Sequence, residues 1–254
     1  MNVIVCVKQI PDPALPGELD ADNTLKRDGK LILDESDSYG VEMALQLVGA
    51  AGDGAVTLVS MAPNDEVSGL RTALAMGAEK AVLVSDPSLA GADALTTAKV
   101  LAGAVGKAGD YDLVIAGTES SDGYTGTVPE QLAEVLGLPS VTFAKTIAVD
   151  SGTVKVDRQT EAGYDEVTCP LPAVVSVTAG VVEPRYPSFK GIMAAKSKPV
   201  ETVTAADLGI ESASWAQSIT NVEDAPAREA GEIIEDDGET FNKIVEFLDN
   251  LKVI

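Results

Sequence analysis

The stretch that decides the fold is Asp112–Gly137, D-L-V-I-A-G-T-E-S-S-D-G-Y-T-G-T-V-P-E-Q-L-A-E-V-L-G. Its apolar start, Asp112–Ala116, predicts a buried strand. Thr127 suits an N-cap, Pro129 suits the first turn of a helix, and Gly137 is typical of the residue that closes one. A strand, a Gly-rich loop and a helix in this order form the repeating unit of an α/β fold.

The same alternation of strand and helix runs through the preceding part of the chain. Further strand candidates are Val3–Val7, Val56–Ser60, Ala81–Val84 and Val174–Val177. Apolar residues recur at helical spacing over Val41–Val48, Leu70–Leu74 and Leu95–Val105. This pattern predicts an α/β fold with a doubly wound, mostly parallel sheet whose two faces are both covered by helices.

The pattern changes after Pro139. Two β-rich runs, Thr146–Val149 and Thr153–Val156, flank Asp150-Ser151-Gly152, which predicts a hairpin. Val167–Cys169 could add a third strand. We expect these segments to form an antiparallel extension of the main sheet.

The chain beyond Pro199 loses the alternation and predicts a separate C-terminal part. We divide the protein into an α/β nucleotide-binding domain, residues 1–200, and a C-terminal arm and helix, residues 201–254. Glu223–Gly238 is acidic and poor in large apolar residues, so it predicts an exposed, extended arm. Thr240–Leu251 regains helical spacing and predicts an amphipathic helix, which could dock on a partner or on its own domain.

Composition excludes several functions. Lys and Arg number 18 against 40 Asp and Glu, a net charge of −22, which disfavours binding to nucleic acid or to an anionic membrane. Histidine is absent, so His-based acid–base chemistry and His-ligated metals are excluded. The two cysteines, Cys6 and Cys169, predict buried packing residues rather than a disulfide framework. The sequence shows no export signal and no membrane-spanning run, so we expect a cytoplasmic protein.

The Gly-rich loop after Asp112–Ala116 predicts a phosphate site. Gly123 and Gly126 let the backbone approach a ligand closely, and the helix that follows offers its N-terminal N–H groups and dipole. The segment Ser120–Val128 is neither a Walker A motif nor G-x-G-x-x-G. Its place at the carboxyl end of a central strand strengthens the prediction, because doubly wound sheets bind ligands there.

A second unusual stretch is Val182–Pro199, V-E-P-R-Y-P-S-F-K-G-I-M-A-A-K-S-K-P. Pro184 and Pro187 stiffen the backbone, and Phe189 lies among basic residues in an otherwise acidic chain. An apolar anchor surrounded by cations is typical of a surface that binds a partner. Alternatively, this stretch is a solvated basic loop whose Phe189 folds back onto the core.

These segments resemble the electron transfer flavoprotein (ETF) beta subunit family. The resemblance rests on V-I-V-C-V-K-Q-I-P-D at Val3–Asp12, R-T-A-L-A-M-G-A at Arg71–Ala78, L-P-A-V-V at Leu171–Val175 and the stretch Val182–Pro199. The matches keep similar order and spacing to about Gly209. The resemblance implies an electron carrier subunit with no catalytic residues of its own.

The resemblance also implies an adenine-nucleotide site. It holds AMP in most members and a second FAD in electron-bifurcating members. The residues that match this site by position are Cys6, Asp34, Glu35, Ser36, Asp37, Met61, Gly117, Thr118, Glu119, Ser120, Ser121, Asp122, Gly123, Tyr124, Thr125, Gly126, Thr127 and Val128. The bifurcating loop resembles D-G-D-T-A-Q-V, from which Tyr124 and Thr127 depart. We therefore expect AMP, with the second FAD as the alternative.

The resemblance implies specific partners. They are an ETF alpha subunit that holds the redox-active FAD, flavin dehydrogenases such as acyl-CoA dehydrogenases of fatty acid β-oxidation as donors, and an ETF-quinone oxidoreductase or related acceptor. The residues expected to dock the donor are Arg185, Phe189, Lys190, Lys196 and Lys198, with Phe189 as the anchor.

Two other classes stay open at the sequence level. One is a universal-stress-type nucleotide-binding sensor, which shares the strand–loop–helix phosphate site and predicts a homodimer. The other is a nucleotide-hydrolysing or adenylate-transferring enzyme. That enzyme would need a basic residue on the phosphates, and Ser120–Val128 contains neither Lys nor Arg.

Overall fold

The secondary structure alternates as the sequence predicts. The computed structural model describes residues 1–210, 216–223, 225–227, 230–231, 233–236 and 238–254. The strands are β1 (Val3–Cys6), β2 (Gln9–Pro11), β3 (Leu31–Leu33), β4 (Val56–Ala62), β5 (Lys80–Ser85), β6 (Leu113–Gly117), β7 (Ser140–Asp150), β8 (Thr153–Thr160), β9 (Gly163–Pro170), β10 (Ala173–Val177) and β11 (Val200–Val203). The helices are α1 (Glu35–Ala51), α2 (Ser68–Met76), α3 (Ala94–Ala108), α4 (Val128–Leu136), α5 (Phe189–Ala195) and α6 (Thr240–Asn250).

One nine-stranded sheet organises the structure, in the order β11-β5-β4-β1-β6-β10-β7-β8-β9. The pairs from β11 to β7 are parallel, and β7–β8 and β8–β9 are antiparallel. The predicted doubly wound sheet with an antiparallel extension is therefore confirmed. The sequence did not predict that β7 begins at Ser140, where it pairs with β10 before it enters the hairpin.

The core lies on both faces of the sheet because successive strand residues point to opposite sides. Val5, Leu58 and Ile115 pack in a cluster with residues of α1 and α2. Their chain neighbours Ile4 and Val59 belong to a second cluster, with residues of α3 and α4. Both clusters consist mainly of Ala, Val, Leu and Ile, so the helices cover the sheet on either side.

The strand order places a ligand site beside β1. The chain adds β4 and β5 on one side of β1 and then crosses over to add β6 on the other. Val5 lies opposite Ile115, so the carboxyl ends of β1 and β6 are neighbours. A doubly wound sheet opens a crevice where its strand order reverses, and the Gly-rich loop follows β6 there.

A small feature that the sequence did not predict lies at the same edge. Strands β2 and β3 pair in a separate antiparallel sheet, with Gln9 opposite Leu33. Residues 12–30 connect them and contain an isolated bridge between Leu19 and Leu25. We call residues 12–30 the excursion between β2 and β3, and some of its side chains line the crevice.

The chain forms two compact units, Met1–Thr220 and Asn221–Ile254. In the second unit, α6 confirms the helix expected at Thr240–Leu251. The described residues of the expected arm, Glu223–Gly238, form neither helix nor strand. Positions 224, 228, 229, 232 and 237 of that arm lie outside the described residues. The first residues of the predicted C-terminal part, up to Val203, complete β11 in the main sheet, and the first compact unit extends to Thr220. That the C-terminal part packs on a partner subunit stays a prediction.

Candidate nucleotide site and docking surface

A cavity of about 1670 Å³ opens at the carboxyl ends of β1 and β6. The residues of the predicted nucleotide site that line it are Cys6, Asp37, Met61, Gly117, Thr118, Glu119, Ser120, Asp122, Gly123, Thr125, Gly126 and Val128. Those that do not are Asp34, Glu35, Ser36, Ser121, Tyr124 and Thr127. Small-molecule pockets usually measure about 300–1,000 Å³, so the cavity has room for a mononucleotide or a dinucleotide.

Asp34 attaches the Gly-rich loop to α1. Its buried carboxylate caps α1 by accepting a hydrogen bond from the Ser36 backbone N–H, at 3.1 Å. The other carboxylate oxygen accepts from the Ser121 backbone N–H at 2.7 Å and from its hydroxyl at 3.1 Å. Asp34 and Ser121 are thus occupied with each other, and they shape the site rather than face a ligand.

Asp37 is a buried carboxyl group that lines the cavity. Burial raises the pKa of Asp37 well above its ordinary value; a hydrogen bond from the Lys8 backbone N–H, at 2.5 Å, opposes that shift, and the Asp34 charge adds to it. Gly117 leaves it room, because a Cβ there would lie 3.1 Å from Asp37 Oδ1. Asp37 therefore places a buried carboxyl group with a raised pKa on the cavity wall.

Cys6 lies on the cavity wall as an unreactive thiol. Burial, together with the nearby Asp37 charge, raises the pKa of Cys6 to about 12. The reactive form of cysteine is the thiolate, which is scarcely populated at neutral pH with such a pKa. The prediction that Cys6 is a buried packing residue is confirmed, whereas Cys169 is only partly buried.

Two basic residues that the sequence did not assign to the site meet at Asp122. Lys8 Nζ lies 2.6 Å from Asp122 Oδ1 and 3.2 Å from the Ser120 hydroxyl. Arg27, from the excursion between β2 and β3, donates to Asp122 Oδ2. Burial raises the pKa of Asp122, but the charges and hydrogen bonds of Lys8 and Arg27 outweigh it and lower the pKa below its ordinary value. Asp122 is therefore an ionised, nearly buried centre of the loop.

Lys8 follows β1 and the Gly-rich loop follows β6, and these two strands end side by side. The sequence position of Lys8 could therefore have predicted its contact with the loop. No sequence feature predicted the contact of Arg27. The lack of Lys and Arg in Ser120–Val128 argued against a nucleotide-processing enzyme. The structure brings two cations to the cavity from elsewhere, yet both are paired with Asp122.

The loop backbone needs glycine at one point. Gly126 has φ +66°, in the left-handed region, and a Cβ there would lie 3.3 Å from Glu119 Oε2. Helix α4 then starts at Val128, with Thr127 as an N-cap that makes no side-chain capping bond. The first-turn N–H groups of α4 consequently need another acceptor, such as water or a ligand oxygen.

The segment with Phe189 is a helix rather than the stiffened loop that its prolines and Gly191 predict. Ser188 caps α5 by accepting from the Gly191 backbone N–H at 3.0 Å. Phe189 is the first residue of α5 and is 80% exposed, so it does not fold back onto the core. Three further apolar side chains are exposed beside it in sequence: Tyr186, Ile192 and Met193. We call these four residues the docking surface.

The four basic residues predicted around Phe189 fall into two pairs. Lys190 and Lys196 are exposed. Arg185 forms a salt bridge with Glu42 of α1, and Lys198 Nζ donates to the backbone oxygen of Ala78 at 2.6 Å. Burial lowers the pKa of Lys198, a shift that the Glu79 charge opposes. Arg185 and Lys198 thus have intramolecular partners, which leaves Lys190 and Lys196 free to meet another protein.

The described part of the chain has neither a metal-binding cluster nor a membrane-spanning helix. Within it, no cluster of three or more His, Cys, Asp or Glu residues could hold a metal ion. No helix in those same ranges has the length and hydropathy needed to cross a membrane.

The chain is similar to known proteins over most of its length. Residues 22–208 match the family described as Electron transfer flavoprotein domain. The chain is 40% identical to the electron transfer flavoprotein subunit beta of Mycobacterium tuberculosis, which covers 100% of this chain and 99% of the relative. It is 36% identical to the subunit of that name from Clostridium acetobutylicum, over 92% of both chains, and 34% identical to that of Megasphaera elsdenii, over the whole of both.

Proposed function

We propose, from the premise that this chain belongs to the electron transfer flavoprotein family as a beta subunit, that it forms a heterodimer with an alpha subunit. The alpha subunit would hold the redox-active FAD. The heterodimer would carry electrons from flavin dehydrogenases, such as acyl-CoA dehydrogenases, to a quinone oxidoreductase or a related acceptor. In this proposal the chain contributes a nucleotide site and a docking surface, and it catalyses no reaction itself.

The exposure of Phe189 is the observation that carries the proposal. Phe189 and Tyr186 are 80% and 95% exposed on a short segment. Aromatic side chains gain stability when they leave water, so their exposure gives the fold no advantage. A partner that covers them would gain that energy, and aromatic anchors of this kind often dominate binding. We propose that the partner is the donor dehydrogenase.

The loop sequence, rather than the charge of the cavity, favours AMP as the nucleotide. Lys8 and Arg27 both pair with Asp122, which leaves one net positive charge in that cluster. Other acidic residues line the cavity, among them Asp20, Asp22, Asp28, Asp65, Glu66 and Asp93. AMP and FAD each carry about two negative charges at neutral pH, so this charge balance does not distinguish them. Tyr124 and Thr127, which depart from the bifurcating-type loop, favour AMP. We propose that AMP is bound structurally and is not consumed.

A second FAD is the alternative nucleotide, and the volume of the cavity favours it. At about 1670 Å³ the cavity exceeds what a mononucleotide needs. The loop residues Tyr124 and Thr127 therefore favour AMP, and the volume favours FAD. We give more weight to the loop residues, since water can occupy the unfilled part of a polar cavity.

Co-expression with the alpha subunit tests the proposal. We expect a yellow one-to-one complex that releases one FAD and one AMP on denaturation, whereas the chain alone stays colourless. Two FAD and no AMP would replace AMP by a second FAD. A colourless homodimer of this chain that does not bind the alpha subunit would contradict the proposal and favour the nucleotide sensor.

A shortened chain tests the proposed role of Asn221–Ile254, the part of the predicted C-terminal segment that lies outside the first compact unit. We propose that this part contacts the alpha subunit, because the amphipathic spacing of α6 offers an apolar face. A chain that ends at Thr220 should keep its fold, since Met1–Thr220 is a compact unit, but should bind the alpha subunit more weakly. Unchanged complex formation would contradict this role.

A further inference from the structure

We infer that Glu42 and Arg71 are positioning residues that hold helix α5 in the orientation in which it meets the donor dehydrogenase. The inference rests on the proposed function, because it assigns a purpose to the support of the docking surface. Neither residue belongs to the docking surface itself. Each lies on a helix that packs on the sheet, α1 for Glu42 and α2 for Arg71.

Glu42 fixes the start of the docking segment. Its carboxylate is almost fully buried and accepts from Arg185 Nε at 2.5 Å and from Arg185 Nη2 at 2.9 Å. Gln46, one turn further along α1, donates to the same carboxylate at 2.9 Å. A two-point Arg–carboxylate contact sets direction as well as distance. Arg185 is therefore anchored four residues before Phe189.

Arg71 fixes the other end of α5. Its Nη1 donates to the backbone oxygens of Ala195 and Lys198, each at 2.7 Å. Ala195 is the last residue of α5, where helical oxygens have no partner within the helix. A cation at that end is also favoured by the helix dipole. Arg71 thus caps α5 from a neighbouring helix.

Lys198 in turn caps the end of α2. Its Nζ donates to the backbone oxygens of Leu74, at 2.9 Å, and Ala78, at 2.6 Å, at the end of α2. A residue of α2 therefore caps α5, and a residue just after α5 caps α2. The two helix ends hold each other through four hydrogen bonds.

The backbones of the two helices also touch directly. A Cβ at Gly191 would lie only 2.4 Å from the backbone oxygen of Ala75 in α2. Helix α5 has seven residues, and isolated helices shorter than about 12 residues are marginal in water. The helical form of α5 therefore depends on contacts with its neighbouring helices. The position of Phe189 depends on the same contacts.

Rigid presentation explains why such support would matter for binding. A partner that binds a flexible segment must order it, and this cost weakens the complex. A helix that is already held at both ends meets its partner without that cost. The loss of Glu42 or Arg71 should therefore weaken docking even though neither residue touches the partner.

A double-mutant cycle in the heterodimer tests the inference. We expect Glu42→Gln and Arg71→Met each to weaken binding of an acyl-CoA dehydrogenase by roughly three- to tenfold, because α5 loses its order. In the Phe189→Ala background the same changes should cost less than about twofold, since they act through Phe189. Glu134→Gln, an exposed glutamate on α4, is the matched control and should have no effect.

Two further measurements separate positioning from general damage. Amide hydrogen exchange in the Glu42→Gln and Arg71→Met variants should quicken in residues 188–198 and stay unchanged in β1 and β6. Gly191→Ala reaches the same end by another route, because its methyl group must push α5 away from Ala75. It should weaken docking although alanine favours helices more than glycine does.

The outcomes distinguish the inference from the proposal beneath it. If Phe189→Ala leaves docking unchanged, the docking surface is wrong and the inference falls with it. If Phe189→Ala weakens docking while Glu42→Gln and Arg71→Met have no effect, or add fully to it, only the inference is overturned. Exchange that quickens throughout the sheet would also overturn it.

Discussion

The Gly-rich loop and the docking surface use charge in opposite ways. Asp122 in the loop and Asp34 at the start of α1 lie inside the protein and accept hydrogen bonds from groups around them, so the polar atoms define an enclosed shape. At the docking surface the polar groups lie beneath, while Phe189 and Tyr186 face the solvent. This contrast supports the proposals that the loop binds a small molecule and that a partner covers the helix.

This difference predicts that substitutions in the two regions change different properties of the protein. Changes in the loop should alter the free energy of unfolding or its response to a nucleotide. Changes at the docking surface should leave unfolding almost unaltered and affect only encounters with a partner. The five predictions that follow test this contrast.

Removal of the Asp122 charge should have the largest effect. Asp122→Asn leaves Lys8 and Arg27, whose side chains are 39% and 20% exposed, facing each other without a carboxylate. Because only Asp122 is nearly buried, we expect a loss at the low end of the range for buried pairs, about 3 kcal/mol of unfolding free energy. Denaturant unfolding at neutral pH measures the loss. Asp165→Asn, at an exposed site on β9, is the matched control and should change stability by less than about 0.5 kcal/mol.

The same pair predicts how stability depends on pH. The folded state lowers the pKa of Asp122 below its ordinary value of 3.8, so the unfolded chain binds the proton more tightly. The contribution of Asp122 is thus complete above that ordinary value and is lost as pH falls through the lowered one. Asp122→Asn should therefore be least harmful at the most acidic pH. A loss that stays constant across the acid range would contradict the assignment.

A side chain at Gly126 should abolish the response to AMP. A ligand at about 100 times its Kd stabilises the native state by about 2.7 kcal/mol, which raises the melting temperature. Gly126→Val forces a β-branched residue to φ +66° and displaces the loop. Gly152→Val, at φ +78° in the β7–β8 turn, imposes similar strain and should keep the AMP-dependent rise. Equal responses in both variants would place the nucleotide elsewhere.

Truncation of Phe189 should affect docking but not the fold. Loss of a central anchor costs about 2 kcal/mol of binding, a tenfold to thirtyfold weaker complex, while a buried Phe would cost about 3–5 kcal/mol of stability. We expect Phe189→Ala to slow electron transfer from dehydrogenases with flavin content and melting temperature unchanged. Leu95→Ala, another exposed apolar residue, is the control. A variant that unfolds would show that Phe189 is structural.

Charge reversal at Lys190 should have the smallest effect and the strongest dependence on salt. Rim charges act mainly on the association rate, so we expect Lys190→Glu to cost less than about 1 kcal/mol at low ionic strength and almost nothing above 0.5 M. Lys99→Glu makes the same change of charge on α3 and is the comparison. A salt-independent loss in Lys190→Glu would mean that Lys190 makes a buried contact rather than steering the encounter.

The sequence by itself determined the central strands of the sheet and the place of the cavity. Apolar runs such as Val3–Val7 and Asp112–Ala116 are long enough to predict strands from neighbouring residues alone. Gly126 predicted a loop that comes close to a ligand, and the structure gives it a left-handed backbone. These features depend on short-range steric limits and on which residues avoid water. Both can be read from the spacing of apolar residues and glycines along the sequence.

Only the tertiary structure decided which charges are available. Lys8 and Asp122 lie 114 positions apart in the chain, and Arg27 and Asp122 lie 95 apart. The pairing of Arg185 with Glu42 spans 143 positions, and it turns a predicted rim cation into a support. The helical form of α5 depends in the same way on Arg71, which is distant in sequence. The fold brings together side chains that are far apart in the chain. A local sequence pattern therefore cannot show which charged groups will pair.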